Sequence, residues 1–273
     1  MGAQLDTAGT DPGAGRSQRE RPFIRLGMCA TFAPIAVAPR RHAQVISRGT
    51  AMADTLTLTA EDGHEFTAYI AQPEGRPKGG VVIIQEIFGV NDHIRAVADD
   101  YAAQGYLAVA PALFDRVRPG IELGYSEDDV TKGREIRAQV RNEDALLDIA
   151  AAADTVKSAG RIAAVGYCWG GTLAWLTATR LEGFSAIASY YGGGIGSLAA
   201  EQPHCPVILH FGERDHAIPL SEVEAVRAAH PELPVHLYPA GHGFNCDHRG
   251  SFEPTSAGIA RERTLALFAK QLG

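Results

Sequence analysis

The sequence predicts an α/β domain, with a mostly parallel, twisted sheet and helices on both faces. Three observations carry that expectation. Gly80-Val-Val-Ile-Ile84 is an unbroken apolar run, as in a strand covered on both sides. Ile94, Val97, Ala98, Tyr101 and Ala102 follow at the spacing of one helical stripe. Strand and helix patterns of this kind then alternate to the C terminus, which calls for parallel strands joined by right-handed crossovers.

The elements follow in order. Thr55–Thr59 and Glu65–Ala71 alternate around the turn Glu61-Asp-Gly63 and predict an N-terminal hairpin. After the run at 80–84 and its helix, Gly105 breaks the chain, and Tyr106–Ala110 is the next strand. Residues 111–131 show no regular period. Residues 134–159 read as one helix ended by Gly160, with Ile136, Val140, Leu146, Leu147, Ile149 and Ala150 facing inward. Strands are expected at 161–165, 184–191, 206–211 and 235–238, and helices at 172–179, 219–229 and 255–272. The stripe Leu265, Leu267, Phe268 and Leu272 reads as core.

Composition bounds the function. Of 273 residues, 45% are hydrophobic and 21% charged, as in a folded globular protein. No apolar run is long enough to cross a bilayer. The net charge of −7 argues against a nucleic-acid partner. Four cysteines, Cys29, Cys168, Cys205 and Cys246, form no C-x-x-C pair and no disulfide framework, so a reducing, cytoplasmic setting is expected. No nucleotide loop and no metal-ligand spacing stands out, so no cofactor and no metal are expected. The pattern is compatible with a monomer.

Residues 1–51 differ from the rest. They hold seven Arg and no Lys against two Asp and one Glu, and are rich in Gly, Pro, Ser and Thr without a sustained period. They read as a disordered tail preceding a domain over 52–273. A functionless tail, a targeting leader around the apolar patch 28–39, and a true start at Met52 are the three readings, of which the last is preferred.

The sharpest chemical signal is Gly166-Tyr-Cys168-Trp-Gly170-Gly171, where a strand gives way to a helix. Such a spacing is expected about 0.005 times by chance in a chain of this composition. It is the pattern of a nucleophile elbow. The tight turn lifts Cys168 above the sheet, and the helix N terminus directs N–H groups at it. A thiol nucleophile needs a base, and the base an orienting acid. Asp215, in the loop after the strand 206–211, holds the acid's place, with Glu213 as a rival. His242, between Gly241 and Gly243 after the last strand, holds the base's place. The backbone N–H groups of Trp169 and Ile87 are the candidates for an oxyanion hole. Glu86 follows four apolar strand residues and is expected to be partly buried, against the Cys168 thiol.

Together Gln85-Glu-Ile-Phe-Gly89, the run 166–171, Asp215 and Gly241-His-Gly-Phe244 resemble the dienelactone hydrolase family. The resemblance spans about residues 54–272. It implies a single α/β-hydrolase domain without a large cap, and a cysteine-dependent hydrolase of lactones or activated carboxylic esters, with a small-molecule substrate. It also implies a Cys168-His242-Asp215 triad working through an acyl-enzyme, and a resting thiol turned toward Glu86, which takes its proton when substrate arrives. Arginines bind a substrate carboxylate in such enzymes. Arg134, Arg137 and Arg249 are the candidates here, with Phe244 beside them. Cys246 stands near the place of the arginine that usually follows the histidine, and Arg249 comes three positions later. The alternative from another class is a non-hydrolytic redox or electrophile sensor using Cys168. A serine esterase is excluded, because the body contains no second elbow of the Gly-x-Ser-x-Gly kind.

Overall fold

A computed structural model describes residues 45–46 and 53–273. The expected tail, its leader reading and the start at Met52 fall outside the described residues, with one exception. Val45–Ile46, inside the stretch expected as tail, form a short strand (β1) antiparallel to β2, Ala53–Thr59. The sheet therefore extends into that stretch.

β2 and β3 (Glu65–Ala71) make the predicted hairpin, with Thr59 opposite Glu65. Phe66, Ala68 and Ile70 alternate inward, as a half-buried strand requires. The remaining strands are β4 (Gly80–Ile84), β5 (Leu107–Pro111), β6 (Ile162–Tyr167), β7 (Phe184–Tyr190), β8 (Val207–Gly212) and β9 (Val235–Tyr238). The order across the sheet is β1-β2-β3-β5-β4-β6-β7-β8-β9, and every pairing from β5 to β9 is parallel. All five residues of β4 are buried, which explains their unbroken apolar run.

The helices are α1 (Asp92–Ala103), α2 (Glu127–Arg137), α3 (Asn142–Val156), α4 (Trp169–Arg180), α5 (Leu220–Ala229) and α6 (Pro254–Leu272). From β4 the chain crosses to β5 through α1. It then returns past β4 to β6 and continues outward through α3, α4 and α5. Opposite directions with one handedness put α1 on one face and α3–α5 on the other. α6 joins α1, tied by Arg261 to Asp100 at 2.6 Å and by the Tyr101 and Phe268 rings, 5.9 Å apart. The reversal leaves a crevice above the C-terminal ends of β4 and β6, the usual ligand position in such sheets.

One element differs from expectation. The single helix over 134–159 is two helices, α2 and α3, separated at 138–141. α2 starts earlier than the period suggested, at a capping box in which Ser126 and Asp129 satisfy each other's backbone. Its break is set by tertiary contacts. Val140 is buried, and the Asn142 amide oxygen accepts from both Arg137 and the Trp169 indole, at 3.1 Å each. Of the predicted inward positions on α3, Leu146 and Ile149 are buried in the core.

Candidate active site

Cys168 sits between β6 and α4 at φ 55°, ψ −119°. This is a region that non-glycine residues rarely adopt, at a cost of about 1–3 kcal/mol. Its backbone is clamped to hold it there. The Cys168 N–H donates to Tyr190 O at 3.0 Å, and its carbonyl accepts from Gly171 and Thr172. A Cβ on Gly166 would strike the Gly170 carbonyl, and one on Gly170 the carbonyls of Ile84 and Gln85. The glycines of the motif are thus places where β4 and the helix start pass without clearance.

The three residues singled out for nucleophile, base and acid meet. His242 Nε2 lies 3.2 Å from Cys168 Sγ, and His242 Nδ1 lies 2.8 Å from Asp215 Oδ2. Asp215 is itself held. Its Oδ1 accepts the N–H groups of Ala217 at 2.8 Å and Ile218 at 3.2 Å. Its side chain is almost fully buried, whereas Glu213 is exposed, so the rival acid is set aside. Burial alone lowers the affinity of His242 for a proton. The hydrogen bonds to Asp215 and Cys168, with their charges, outweigh it and push the imidazole up to about 10. The Ile87 and Trp169 N–H groups donate to no backbone acceptor among the described residues.

Glu86 is fully buried, as its place in the sequence suggested, but it is not held by the thiol. Its Oε1 accepts from Arg249 Nη1 at 3.2 Å, while the sulfur of Cys168 is on His242. The expectation of a thiol turned toward Glu86 is corrected. In a dry site a carboxylate gains more from a guanidinium than from a neutral thiol. Arg249, expected only as a substrate ligand, lies over the Phe88 ring at 5.7 Å. It runs alongside Gly243, whose φ of +78° and missing side chain make the room.

The other candidates separate. Arg137 is half-buried over the Trp169 indole, 5.5 Å from its centroid. Arg134 is exposed on α2 and makes no ion pair among the described residues. Phe244 has no solvent-accessible face. It is fully buried between Tyr191 and Tyr238, at 5.4 and 5.2 Å between rings, where its apolar ring is kept from water.

Several neighbours complete the site in roles that the sequence did not suggest. Tyr191, at φ 38°, sets its ring edge-on to His242 at 5.2 Å. The only sequence signal was its position between a strand end and Gly192-Gly-Gly194. Cys246 is buried beside Glu86 and Tyr125. Burial first, and then the Glu86 charge, push its thiol up to about 11. His93, in the first turn of α1, is held below its ordinary value by burial, against the pull of Glu86 and Asp247. One ligand atom each of Glu86, His93 and Cys246 falls within 4.8 Å of the others. A cleft of about 320 Å³ opens between α1 and α6, bordered by His93, Tyr101, Asp247, Phe252 and Arg261 but not by Cys168 or His242.

The model of the dienelactone hydrolase family matches residues 66–272, nearly the whole described body. The chain belongs to the dienelactone hydrolase family. It is 32% identical over 229 residues to the carboxymethylenebutenolidase of Pseudomonas putida, covering 80% of this chain and 97% of that one. It is 34% identical over 239 residues to a Synechocystis protein provisionally named carboxymethylenebutenolidase, covering 80% and 97%. A crystal structure provisionally assigned as a dienelactone hydrolase, from Klebsiella pneumoniae, superposes with a TM-score of 0.69 at 31% identity, over 79% of this chain and 99% of that one. A dienelactone hydrolase-like promiscuous phosphotriesterase from metagenomic libraries shares the fold, with a TM-score of 0.66 at 19% identity over 82% and 100%. The chain is thus a dienelactone hydrolase-like hydrolase on a single α/β body, and among the described residues no helix is long and apolar enough to cross a membrane.

Proposed function

We propose that this dienelactone hydrolase-family chain cleaves lactones or activated carboxylic esters through a thioester formed on Cys168. The observation that carries the reading is the continuous line from Asp215 through His242 to Cys168, with contacts of 2.8 and 3.2 Å. Asp215 holds the proton of His242 on Nδ1, which leaves Nε2 to take the thiol proton. The thiolate attacks the carbonyl carbon, and the Ile87 and Trp169 N–H groups receive the developing oxyanion. Collapse expels the alkoxide or enolate, which takes its proton from His242. Water, deprotonated by the same imidazole, then cleaves the thioester and returns the thiol.

The chemistry limits the substrate. A thiolate leaves a tetrahedral intermediate more readily than an alkoxide does, so simple alkyl esters revert. Enol and aryl esters go forward because their leaving groups are stabilised. Arg249 lies close enough for its charge to act on Cys168. A substrate carboxylate would offer that guanidinium a second acceptor and loosen its hold on Glu86. A thiol sensor has no use for the Asp215–His242 pair, and no observation favours that reading.

The test is hydrolysis of p-nitrophenyl acetate beside cis- and trans-dienelactones. The expected result is turnover with a trapped acyl group on Cys168, abolished in Cys168→Ala. Full activity in that variant would overturn the proposal.

A further inference from the structure

We propose that Glu86, His93 and Cys246 form a binding site for a borderline divalent cation, Zn²⁺ foremost, and that its occupation arrests hydrolysis. The three donors come from the end of β4, the first turn of α1 and the loop after β9, and their ligand atoms lie within 4.8 Å of one another. All are buried, at 0%, 4% and 0% exposure. Two of the three carry a polar atom with no hydrogen-bond partner, Glu86 Oε2 and His93 Nε2. Leaving a buried polar atom unsatisfied destabilises the fold, so two on one cluster call for an explanation. A cation between them supplies it.

The surroundings fit a metal better than a chance gathering of side chains. His93 Nδ1 faces Asp247 Oδ1 at 3.2 Å, which places the ring proton on Nδ1 and leaves a lone pair on Nε2. A carboxylate behind a histidine is the usual support of a metal-bound imidazole. Carboxylate oxygen, imidazole nitrogen and thiolate sulfur are a zinc set of three with a fourth position open. The thiol argues against Mg²⁺ or Ca²⁺, which prefer oxygen alone. Arg249 engages Glu86 through Oε1, so Oε2 is the oxygen free to bind. His93 also borders the 320 Å³ cleft between α1 and α6, and with exposed Asp247 and His248 it forms a second donor group at the rim, a route inward from solvent.

Binding releases the Cys246 proton and forms a metal–sulfur bond, with no change of oxidation state. The arrest of hydrolysis rests on the function proposed above, since a cation on Oε2, with Arg249 still on Oε1, pins Glu86 in place when a substrate carboxylate draws on the arginine. Metal binding itself does not.

Co²⁺ provides the readout, because cobalt bound to a thiolate gives a near-ultraviolet charge-transfer band. The full chain, freed of metal with a chelator and kept reduced, is titrated with Co²⁺ and then with Zn²⁺. The band is expected in the wild type and in Cys168→Ala, lost in Cys246→Ser and Cys246→Ala, and displaced by Zn²⁺. Asp247→Asn should weaken binding about 10-fold. Melting curves of each variant establish that it is folded. Zn²⁺ should inhibit dienelactone hydrolysis at the concentration that fills the site, and Cys246→Ser should need at least 10-fold more. A band that survives in Cys246→Ser but disappears in Cys168→Ala would put the metal on the Cys168–His242 pair and overturn the site. Absence of any band would do the same. Binding without inhibition would overturn the arrest. Absence of hydrolysis in the wild type, with its band intact, would count against the proposed function and leave the site standing.

Discussion

Arg249 donates to Glu86 at 3.2 Å, across 163 residues of sequence, and so neutralises a carboxylate that is otherwise sealed beneath the crevice. The pair explains why a glutamate can follow four apolar strand residues. It also means that Glu86 and Cys168 are held by different partners, Arg249 and His242, in the same pocket.

Removing one partner of that pair leaves an uncompensated buried charge. Arg249→Met is expected to destabilise the protein by about 3 kcal/mol, and Glu86→Gln in the same background to restore most of the loss. Urea unfolding of the two single variants and the double variant measures the coupling. Simple additivity would mean the ion pair contributes nothing.

On the proposed thioester mechanism, Cys168→Ala should reduce ester hydrolysis by about 10³-fold or more, because the acyl group then has no acceptor. Asp215→Asn should reduce it as well while leaving Cys168 open to iodoacetamide. Comparing hydrolysis rates with alkylation rates separates loss of the nucleophile from loss of its orientation.

His242 links the site to stability. Its folded value, about 10, lies above the ordinary 6.5. The protonated ring is therefore favoured by folding, and its contribution is complete below pH about 6.5 and declines as pH rises toward 10. The stability difference between wild type and His242→Gln should shrink over that window. Denaturant midpoints at pH 6, 8 and 10 test this, and a difference that grew with pH would contradict it.

Two glycines make opposite predictions. Gly170→Ala pushes a methyl group into the β4 carbonyls and should cost about 3 kcal/mol or more, seen as insoluble or low-melting protein. Gly258 lies within α6 with nothing near its missing side chain. Gly258→Ala should stabilise by about 0.5–1 kcal/mol, through helix propensity alone, and raise the melting temperature.

Much of this molecule was legible because its signals are local. β4 declares itself by five apolar residues, β2 and β3 by alternation, and the elbow by glycines at fixed distances from Cys168. Asp215 and His242, which the fold brings to Cys168, stand out by chain order and loop position. What failed was also instructive. The period over 134–159 could not show the break at 138–141, which depends on Asn142 reaching Arg137 and Trp169. Phe244 follows His242 in what reads as a binding loop, yet the fold packs its ring into the core.

The residue order alone determined the parallel sheet, the raised cysteine and the succession of thiol, acid and imidazole, since each follows from periodicity or from a turn only a few residues long. The tertiary structure decided which charges meet. It gave Glu86 to Arg249, set Tyr191 against His242, and gathered His93 and Cys246 around one carboxylate. Those choices depend on contacts between residues far apart in the chain, where burial makes an unpaired charge so costly that the nearest compatible partner wins.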